Sequence, residues 1–522
     1  MGERLSDQVI KITGDETHYM KNRGILKTQE LQWLLLGLLF VVYHKKNPLY
    51  TSNQNTKFLH GAGEAGYGFL ENDWMANTLD PLPLFTFLVK TLYLFNSIEI
   101  TYFIFGAALL IYFYTLGKIA QYLFPGLKKT APILVYSALF FLVYHPKTGL
   151  AGQYLLGTYL QPCVFGVFFL LSIERFLNNH LKTASILLAL SAAFHPAYLP
   201  TALIVQANYT ILSLVKDKQG IKKTIVPLLL FTLISAPFVL RHIILFAPTA
   251  EALHAEAMDI LTNKRIPHHT NIHLWFNTES FLKMCLMLFS TLLIRKSRLF
   301  PIMFTLYLVI ALSGIYLYFS PNTTLAFTTP WRHSVLLAPL SISVLIAWAA
   351  QSSNLLLEKQ KTLLPIVIIT TSTLLLFLTI RNINKQVDTF KAYGKGIEMG
   401  AIHYASSHGS SEDIYLVPPD NSLFDKFRLE SGIPILANRK THPYKDKEVI
   451  EWDERCRLAE AFYTTETAEE KGRTLRQLVK QYNITHYIIP SEMPSAADLP
   501  GETVYSDAHY TLRRAEWIGN GE

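Results

Sequence analysis

Long apolar runs are the feature that most constrains how this chain can fold. A helix needs about 20 apolar residues to cross the hydrocarbon of a bilayer. A water-soluble domain cannot bury many runs of that length, so the sequence predicts a mainly α-helical, polytopic transmembrane bundle. The eleven candidate spans, some of them short, are residues 31–44, 98–117, 130–145, 160–177, 183–194, 198–215, 224–247, 279–294, 300–319, 331–350 and 362–380.

The composition supports a membrane protein and excludes several other classes. Half of the residues are hydrophobic and 16% are charged, whereas a soluble domain carries about 25% charged residues. A disordered chain, a collagen and a disulfide-rich miniprotein are excluded. The net charge of +8 is typical of membrane proteins, which collect Lys and Arg in cytoplasmic loops, so no nucleic-acid partner is predicted. The three cysteines have no metal-binding spacing, and no metal site is predicted.

The distribution of Lys and Arg predicts the orientation of the spans. With the N-terminus inside, the inner segments hold nineteen of these residues and the outer loops hold seven. The predicted parts are a cytoplasmic segment 1–30, a transmembrane domain 31–384 and, because eleven is odd, an extracytoplasmic domain 385–522. Segment 81–97 begins with two prolines and contains a lysine, so we interpret it as re-entrant or interfacial. We expect a multi-pass protein of the plasma membrane, typically a bacterial inner membrane.

The polar C-terminal part has the pattern of a small α/β domain. Alternating apolar residues predict strands at 412–418 and 485–490 and a hairpin over 504–514. Helical periodicity is found over 446–461 and 467–482. About 135 residues are enough for a hydrophobic core of its own.

The first outer loop, 45–80, is long and acidic. Glu64, Glu71, Asp73 and Asp80 fall within 17 residues beside the apolar segment 81–97. A carboxylate partly withdrawn from water there has a raised proton affinity. It could serve as a general base or hold a divalent cation. The alternative is a solvated loop in which the Asp and Asn side chains cap short helices.

Two arginines lie at the predicted outer ends of spans. Arg332 stands at the start of the span 331–350, and Arg241 stands near the end of the span 224–247. A guanidinium at this depth can bind a lipid phosphate through two hydrogen bonds. It can equally extend to the headgroups with no specific partner.

Two further polar residues interrupt apolar segments. Lys90 lies within 81–97 and, if buried, needs a partner, for which Asp80 or Glu71 is available. His195 precedes Pro196 at a break between two apolar runs. It is either a satisfied histidine at a proline kink or a polar contact in an outward cavity. The candidate substrate-binding residues are therefore Arg332, Arg241, Lys90 and His195.

The order of these features resembles the GT-C superfamily of integral membrane glycosyltransferases. One span, a long acidic outer loop, a Pro-rich apolar helix, about ten further spans and an outward α/β domain follow one another. Asp80-Pro81-Leu82-Pro83 resembles the superfamily's His-Pro-Pro-Leu segment. Arg332-His333 resembles the arginine and tyrosine that open a late span. The resemblance implies a polyprenyl-phosphate-linked sugar donor in a membrane lipid environment.

A further resemblance, over nearly the whole chain, is to a group of bacterial polytopic membrane proteins with this layout. It rests on Asn72-Asp73 in the loop and on a run in the tail from Phe427-Arg428 to Arg455, and it brings no established activity. The GT-C resemblance implies a catalytic carboxylate in the first loop. Asp73 is the first choice, Glu71 the second, and Arg332 would hold the donor phosphate. No cofactor is implied, although a divalent cation is compatible with the acidic loop.

Three functions remain open from the sequence. The first is transfer of a sugar from a polyprenyl-phosphate donor to an extracytoplasmic acceptor. The second is a non-catalytic scaffold that binds a lipid-linked glycan or an envelope partner. A transporter or flippase is the least favoured, because the spans lack paired charges. The first two differ in whether Asp73, Lys90 and Arg332 face one cavity.

Overall fold

A computed structural model describes residues 28–216, 220–493 and 498–515. Almost all of the predicted cytoplasmic segment 1–30 lies outside the described residues.

Each predicted span contains a helix. Within the described residues, six helices are long and apolar enough to cross a bilayer, so this is a multi-pass membrane protein. They are Ile100–Leu123, Pro196–Val215, Ile221–Leu245, Phe300–Phe319, Thr323–Ser353 and Leu364–Ala392. That the shorter helices also cross the bilayer, to give eleven spans, remains a prediction. The membrane-domain helices are Thr28–Tyr43, Ile100–Leu123, Thr130–Val143, Val167–Leu177, Leu181–Phe194, Leu199–Ile211, Ile221–Leu245, Thr278–Leu293, Phe300–Phe319, Ser334–Lys359 and Leu364–Ala392.

The break at His195-Pro196 has a local cause. Proline cannot donate a backbone hydrogen bond, and it disfavours helical geometry in the residue before it. Helix Leu181–Phe194 accordingly ends there, with His195 in an extended conformation (φ −139°, ψ 92°). A short 3₁₀ turn, Pro196–Tyr198, leads into the next helix, Leu199–Ile211. The break leaves His195 between two membrane helices.

Segment 81–97 forms a 12-residue helix, Pro83–Leu94. Its rise is about 18 Å, less than the ~30 Å of hydrocarbon that a spanning helix must cover. The helix packs closely on the loop helix Leu59–Glu64, where a Cβ at Gly61 would lie 2.7 Å from Val89 Cγ1. That tight contact fixes the first loop against the membrane domain.

The last membrane helix runs past the predicted domain border. Helix Leu364–Ala392 has 29 residues, so the border at 385 falls inside it. Lys385 and Lys391 are exposed on this extension, and Arg381 is exposed just before it. Lysine and arginine are good helix formers in water, so a rise in charge does not end the helix.

The C-terminal domain is a four-stranded sheet with helices on both faces. The strands are β1 (Tyr415–Leu416), β2 (His486–Pro490), β3 (Glu502–Ser506) and β4 (Tyr510–Arg514), in the order β1-β2-β4-β3. Only β1 and β2 are parallel. Helices Asp446–Thr464 and Ala468–Tyr482 cover one face and Met399–His408 the other. The predicted fold class, a helical membrane bundle followed by a small α/β domain, is confirmed.

The first loop is docked on the C-terminal domain. Its short elements are the helices Gln54–Lys57 and Leu59–Glu64 and the 3₁₀ turns Leu70–Asn72 and Met75–Asn77. Phe69 N donates to Gly432 O at 2.7 Å. Gly68 and Gly432 both have positive φ, and a Cβ at Gly68 would lie 2.4 Å from Gly432 O, so this approach requires glycine. The loop and the domain therefore lie on the same side of the membrane.

Candidate functional site

Asp73, the first choice for a catalytic carboxylate, is buried between the first loop and the C-terminal domain. Its side chain is 0% exposed. Oδ2 accepts from Arg428 Nε at 2.7 Å and from Ile435 N at 3.1 Å, and Oδ1 accepts from Ala76 N at 3.0 Å. Because protein donors engage both oxygens, the geometry gives Asp73 an anchoring role and does not favour the predicted reaction with substrate.

Three other predicted residues share no hydrogen bond or ion pair with Asp73 or with one another among the described contacts. Glu71 is exposed in the turn Leu70–Asn72. Lys90 is 36% exposed and pairs with Glu64 at 3.2 Å, so the expected partners Asp80 and Glu71 were wrong. Lys90 can extend into water from a short helix, and it therefore needs no buried partner. Arg241 Nη1 donates to the carbonyl oxygen of Asp80 at 2.8 Å.

Arg332 and His195 are brought together. Arg332 lies in the 3₁₀ turn Pro330–His333, which precedes helix Ser334–Lys359, and its charge acts directly on His195. Arg332 Nε and His195 Nδ1 are both enclosed, and neither has a hydrogen-bond partner within the described parts of the chain. Enclosed polar atoms are normally hydrogen-bonded, so these two point to a ligand or water that they would contact.

Two further cations, Lys57 and Arg265, act together with Arg332 on Tyr444. Lys57 Nζ donates to Tyr444 Oη at 3.1 Å. Burial raises the pKa of Tyr444, but the charge and hydrogen bond of Lys57, with the charges of Arg265 and Arg332, bring it below its ordinary value of 10.0. Lys57 thus contacts the partly buried phenol of Tyr444 in the C-terminal domain, and the charges of Arg265 and Arg332 act on the same group.

Lys440 extends this group along the C-terminal domain. Its Nζ donates to Ser52 Oγ at 3.2 Å, and Arg265 Nη2 donates to its carbonyl oxygen at 2.8 Å. Burial and the charge of Arg265 lower the pKa of Lys440. In the described parts of the chain, no member of the group has a carboxylate within ion-pair distance. We call Lys57, Arg265, Arg332 and Lys440 the cation cluster.

Asp425 is the carboxylate associated with the cation cluster. It lies in the 3₁₀ turn Ser422–Lys426, where its charge acts on Arg265 and Lys440. Burial raises its pKa to about 6, although Lys440 and Arg265 oppose the shift. Asp425 was not predicted as a site residue, because nothing in the surrounding tail sequence distinguishes it from an ordinary surface aspartate.

Two residues with strained backbones contact members of the cation cluster. Seven non-glycine residues within the described ranges have positive φ, and three of them are asparagines, which tolerate this conformation. Ser52 holds Lys440, and Thr329 O accepts from the backbone nitrogen of Arg332. Strain of this kind collects at functional sites. The four strained residues other than asparagine are Tyr50 (φ 60°), Ser52 (φ 54°), Ala151 (φ 51°) and Thr329 (φ 46°).

The arrangement is suited to binding an anion. Arginine and lysine bind phosphate oxygens through charge-assisted hydrogen bonds, and arginine can offer two at once. Among the described residues no carboxylate lies within ion-pair distance of the four cations, and Asp425, which acts on Arg265 and Lys440, is weakly acidic. A bound phosphate would therefore offset the mutual repulsion of the cations. In contrast, no group of three or more His, Cys, Asp or Glu residues within the described ranges is arranged to hold a metal ion.

The raised pKa of Asp425 predicts a pH-dependent affinity for anions. Above about pH 6 its negative charge opposes an anion beside Arg265 and Lys440, and below about pH 6 protonation removes that charge. We expect Asp425→Asn to bind farnesyl phosphate roughly tenfold more tightly than the unmodified protein at pH 7.5, and equally at pH 5. At each pH, the dissociation constant of Asp425→Asn is divided by that of the unmodified protein, so the ligand's own titration affects both values equally and does not change the ratio. A ratio that stays constant over this pH range would contradict the prediction.

Comparisons with known proteins give matches of two kinds. A family described as a domain of unknown function, DUF6798, matches residues 398–459. No curated protein matches the chain.

ArnT from Cupriavidus metallidurans, in a crystal structure with undecaprenyl phosphate, is 11% identical with a TM-score of 0.45, over 96% of this chain and 99% of that one. An oligosaccharyltransferase from Archaeoglobus fulgidus, in complex with zinc and sulfate, is 12% identical with a TM-score of 0.44, over 89% and 68% of the two chains. Both belong to the GT-C superfamily, which the sequence also resembles.

Proposed function

We propose that this protein binds a lipid-linked sugar through its phosphate at the cation cluster and transfers the sugar to an acceptor on that side of the membrane. The observation that carries the proposal is the hydrogen bond from Lys57 to Tyr444, on which the charges of Arg265 and Arg332 also act, with no carboxylate of the described residues within ion-pair distance of these cations. Unpaired cations in a partly desolvated site are costly unless an anion is bound there. A phosphate group is the anion that best fits such donors.

The position of the cation cluster supports a lipid as the carrier of the phosphate. Arg332 precedes helix Ser334–Lys359, and His195 lies between Leu181–Phe194 and Leu199–Ile211. The ends of membrane helices lie at the depth of lipid headgroups. A lipid phosphate there could keep its chain in the bilayer while its sugar reaches the C-terminal domain.

The chemistry requires groups of two kinds. As the bond between the sugar and the phosphate oxygen breaks, the departing phosphate gains negative charge, which Arg332 and Lys57 would stabilise. The acceptor must lose a proton to a base. Asp425 lies beside the cations with a raised pKa, whereas both oxygens of Asp73 are engaged by protein donors. We therefore propose Asp425, in preference to Asp73 and Glu71, as the base.

A second candidate is lipid binding without sugar transfer. It is favoured because most of the site residues predicted from the sequence contact other protein groups and do not belong to the cation cluster. Asp73 is buried against Arg428, and Lys90 pairs with Glu64. Only Arg332 belongs to the cation cluster. A scaffold of this kind would hold a lipid-linked glycan for another protein.

Binding and transfer measured on the full chain distinguish the two candidates. We expect the purified protein to bind farnesyl phosphate, and Lys57→Ala/Arg265→Ala to weaken that binding by at least tenfold. Membranes containing the protein should transfer radiolabelled sugar from a polyprenyl-phosphate sugar pool to an endogenous acceptor. Binding without transfer would favour the scaffold, and absence of binding would contradict both candidates. Lys264→Ala is the matched control, because Lys264 adjoins Arg265 but is exposed and paired with Asp453.

A further inference from the structure

We infer that a network of polar side chains beside the cation cluster binds the sugar of the lipid-linked donor, and that this sugar is uncharged. The assignment of a lipid-linked donor rests on the proposed function. The network is formed by Asn53, Tyr154, Tyr159 and Gln161, and we call it the amide–tyrosine network. It brings together the first loop and the segment that precedes helix Val167–Leu177.

Hydrogen bonds hold the amide–tyrosine network together. Asn53 Nδ2 donates to Tyr154 Oη at 3.3 Å and to Gln161 Oε1 at 3.2 Å. Gln161 Nε2 donates to Tyr154 Oη at 3.0 Å. Asn53 N donates to Tyr159 Oη at 3.3 Å, and the two phenol oxygens lie 3.4 Å apart. Each side chain is therefore oriented by contacts with the others.

The amide–tyrosine network has one hydrogen-bond donor and one acceptor to spare. Tyr154 Oη already accepts from two amide groups, and only one of the two phenols can donate to the other. One O–H group therefore has no acceptor among the described residues. Asn53 Oδ1 likewise receives no hydrogen bond from the described residues. A sugar hydroxyl group both donates and accepts, so it can satisfy both groups.

The amide–tyrosine network is fixed on one side and accessible on the other. Gln161 is 4% exposed and Tyr159 is 7% exposed, whereas Asn53 and Tyr154 are half-buried. Gly157 lies against the Tyr154 ring, where a Cβ would be 2.7 Å from Cε2. Because buried groups hold the two half-buried side chains, binding a ligand costs them little conformational entropy.

Asn53 also lies next to the cation cluster. Lys57 N donates to Asn53 O at 2.9 Å, across one turn of helix Gln54–Lys57. Residues four positions apart lie on the same face of a helix, with Cβ atoms about 5–6 Å apart. The preceding residue, Ser52, accepts from Lys440 Nζ at 3.2 Å. A sugar attached to a phosphate that Lys57 and Lys440 bind would therefore lie next to Asn53.

The surroundings favour a sugar without a charge. The members of the amide–tyrosine network are all neutral side chains. Lys147 Nζ lies over the Tyr154 ring, 6.0 Å from its centroid, and Lys440 contacts Ser52. A protonated amine on the sugar would be repelled by both lysines. A carboxylate on the sugar would be repelled by the adjoining phosphate.

The test measures dissociation constants of lipid probes on the full-length protein in detergent. Methyl farnesyl phosphate and glucosyl farnesyl phosphate are both phosphodiesters of the same charge, and only the second carries a sugar. We expect the glucosyl probe to bind about tenfold more tightly, because it adds two neutral hydrogen bonds of modest strength. The corresponding glucosaminyl and glucuronyl probes should bind more weakly than the glucosyl probe.

Two substitutions in the amide–tyrosine network should remove this preference. Tyr154→Phe deletes a hydroxyl group, and Asn53→Ala deletes the spare amide oxygen. Each should weaken binding of the glucosyl probe about tenfold and change binding of the methyl probe by less than about twofold. Tyr505→Phe is the matched control, since its hydroxyl donates to Asp507 Oδ2 at 2.7 Å in the C-terminal domain. If one network variant fails to fold, the other still provides the test.

The other outcomes separate the sugar site from the proposed function. Equal binding of the methyl and glucosyl probes would overturn the inference and leave phosphate binding at the cation cluster intact. A glucosyl preference that survives both substitutions would place the sugar elsewhere, which also overturns the inference but not the proposed function. A glucosaminyl or glucuronyl probe that binds more tightly than the glucosyl probe would contradict an uncharged sugar. If no probe binds, the proposed function fails, and the sugar site fails with it.

Discussion

Replacing Arg332 with alanine should weaken the binding of a polyprenyl phosphate about a hundredfold. Its enclosed Nε has no partner among the described residues, and its charge acts on both Tyr444 and His195. Removing one member of a desolvated, hydrogen-bonded charge pair costs about 2–5 kcal/mol. The loss should appear in the dissociation constant of farnesyl phosphate measured on purified protein. Folding should be little affected, because no protein carboxylate would be left without its partner.

Arg241→Ala is the matched control for this experiment. Arg241 was also predicted to bind substrate, but its Nη1 donates to the carbonyl oxygen of Asp80. We expect this variant to bind farnesyl phosphate within about twofold of the unmodified protein. A loss as large as that of Arg332→Ala would place Arg241 in the site and would contradict the arrangement described above.

Replacing Asp73 with alanine should destabilise the protein by about 3–5 kcal/mol. Arg428 is buried, its Nε bonds to Asp73, and its Nη1 has no partner in the described part of the chain. Removing the carboxylate would leave a buried, uncompensated guanidinium and an unbonded Ile435 N. The apparent melting temperature in detergent should fall by several degrees, and loop 45–80 should become more sensitive to protease.

A second substitution separates anchoring from catalysis. Asp73→Ala/Arg428→Met removes both charges, so it should recover much of the stability that Asp73→Ala loses. If Asp73 only anchors the loop, lipid binding should recover along with stability. Recovered stability with sugar transfer still abolished would instead restore the predicted catalytic role of Asp73. Glu71→Ala is the control, since Glu71 is exposed and should change stability by less than about 0.5 kcal/mol.

The fold was largely predictable because its signals are local. Runs of apolar residues predicted the membrane helices, and the alternation of apolar and polar residues predicted β2 and the hairpin of β3 and β4. His195 and Arg332 were also found, since a proline break and a span-end arginine are visible in a short window. The border at 385 stays a prediction; helix Leu364–Ala392 continues past it, because charge marks where a helix enters water and not where it ends.

The rest of the site depends on contacts between distant parts of the chain. Lys57, Arg265 and Tyr444 each resemble an ordinary loop residue, and only the folded topology brings them together. Asp73 was interpreted as catalytic because it belongs to an acidic loop beside an apolar segment. Its partner Arg428 lies 355 positions later, and no local pattern in the sequence connects the two.

The separation between Asp73 and Arg428 also constrains the order of assembly during synthesis. Residues 45–80 leave the ribosome long before Phe427–Ser431, the helix that carries Arg428. At about 5–20 residues per second, the 355 intervening positions take roughly 20–70 s to translate. Throughout that interval Asp73 lacks its partner Arg428, and Lys440 and Tyr444 have not yet been made. If the proposed function holds, nascent chains that stop before residue 428 should therefore bind anions more weakly than the full chain.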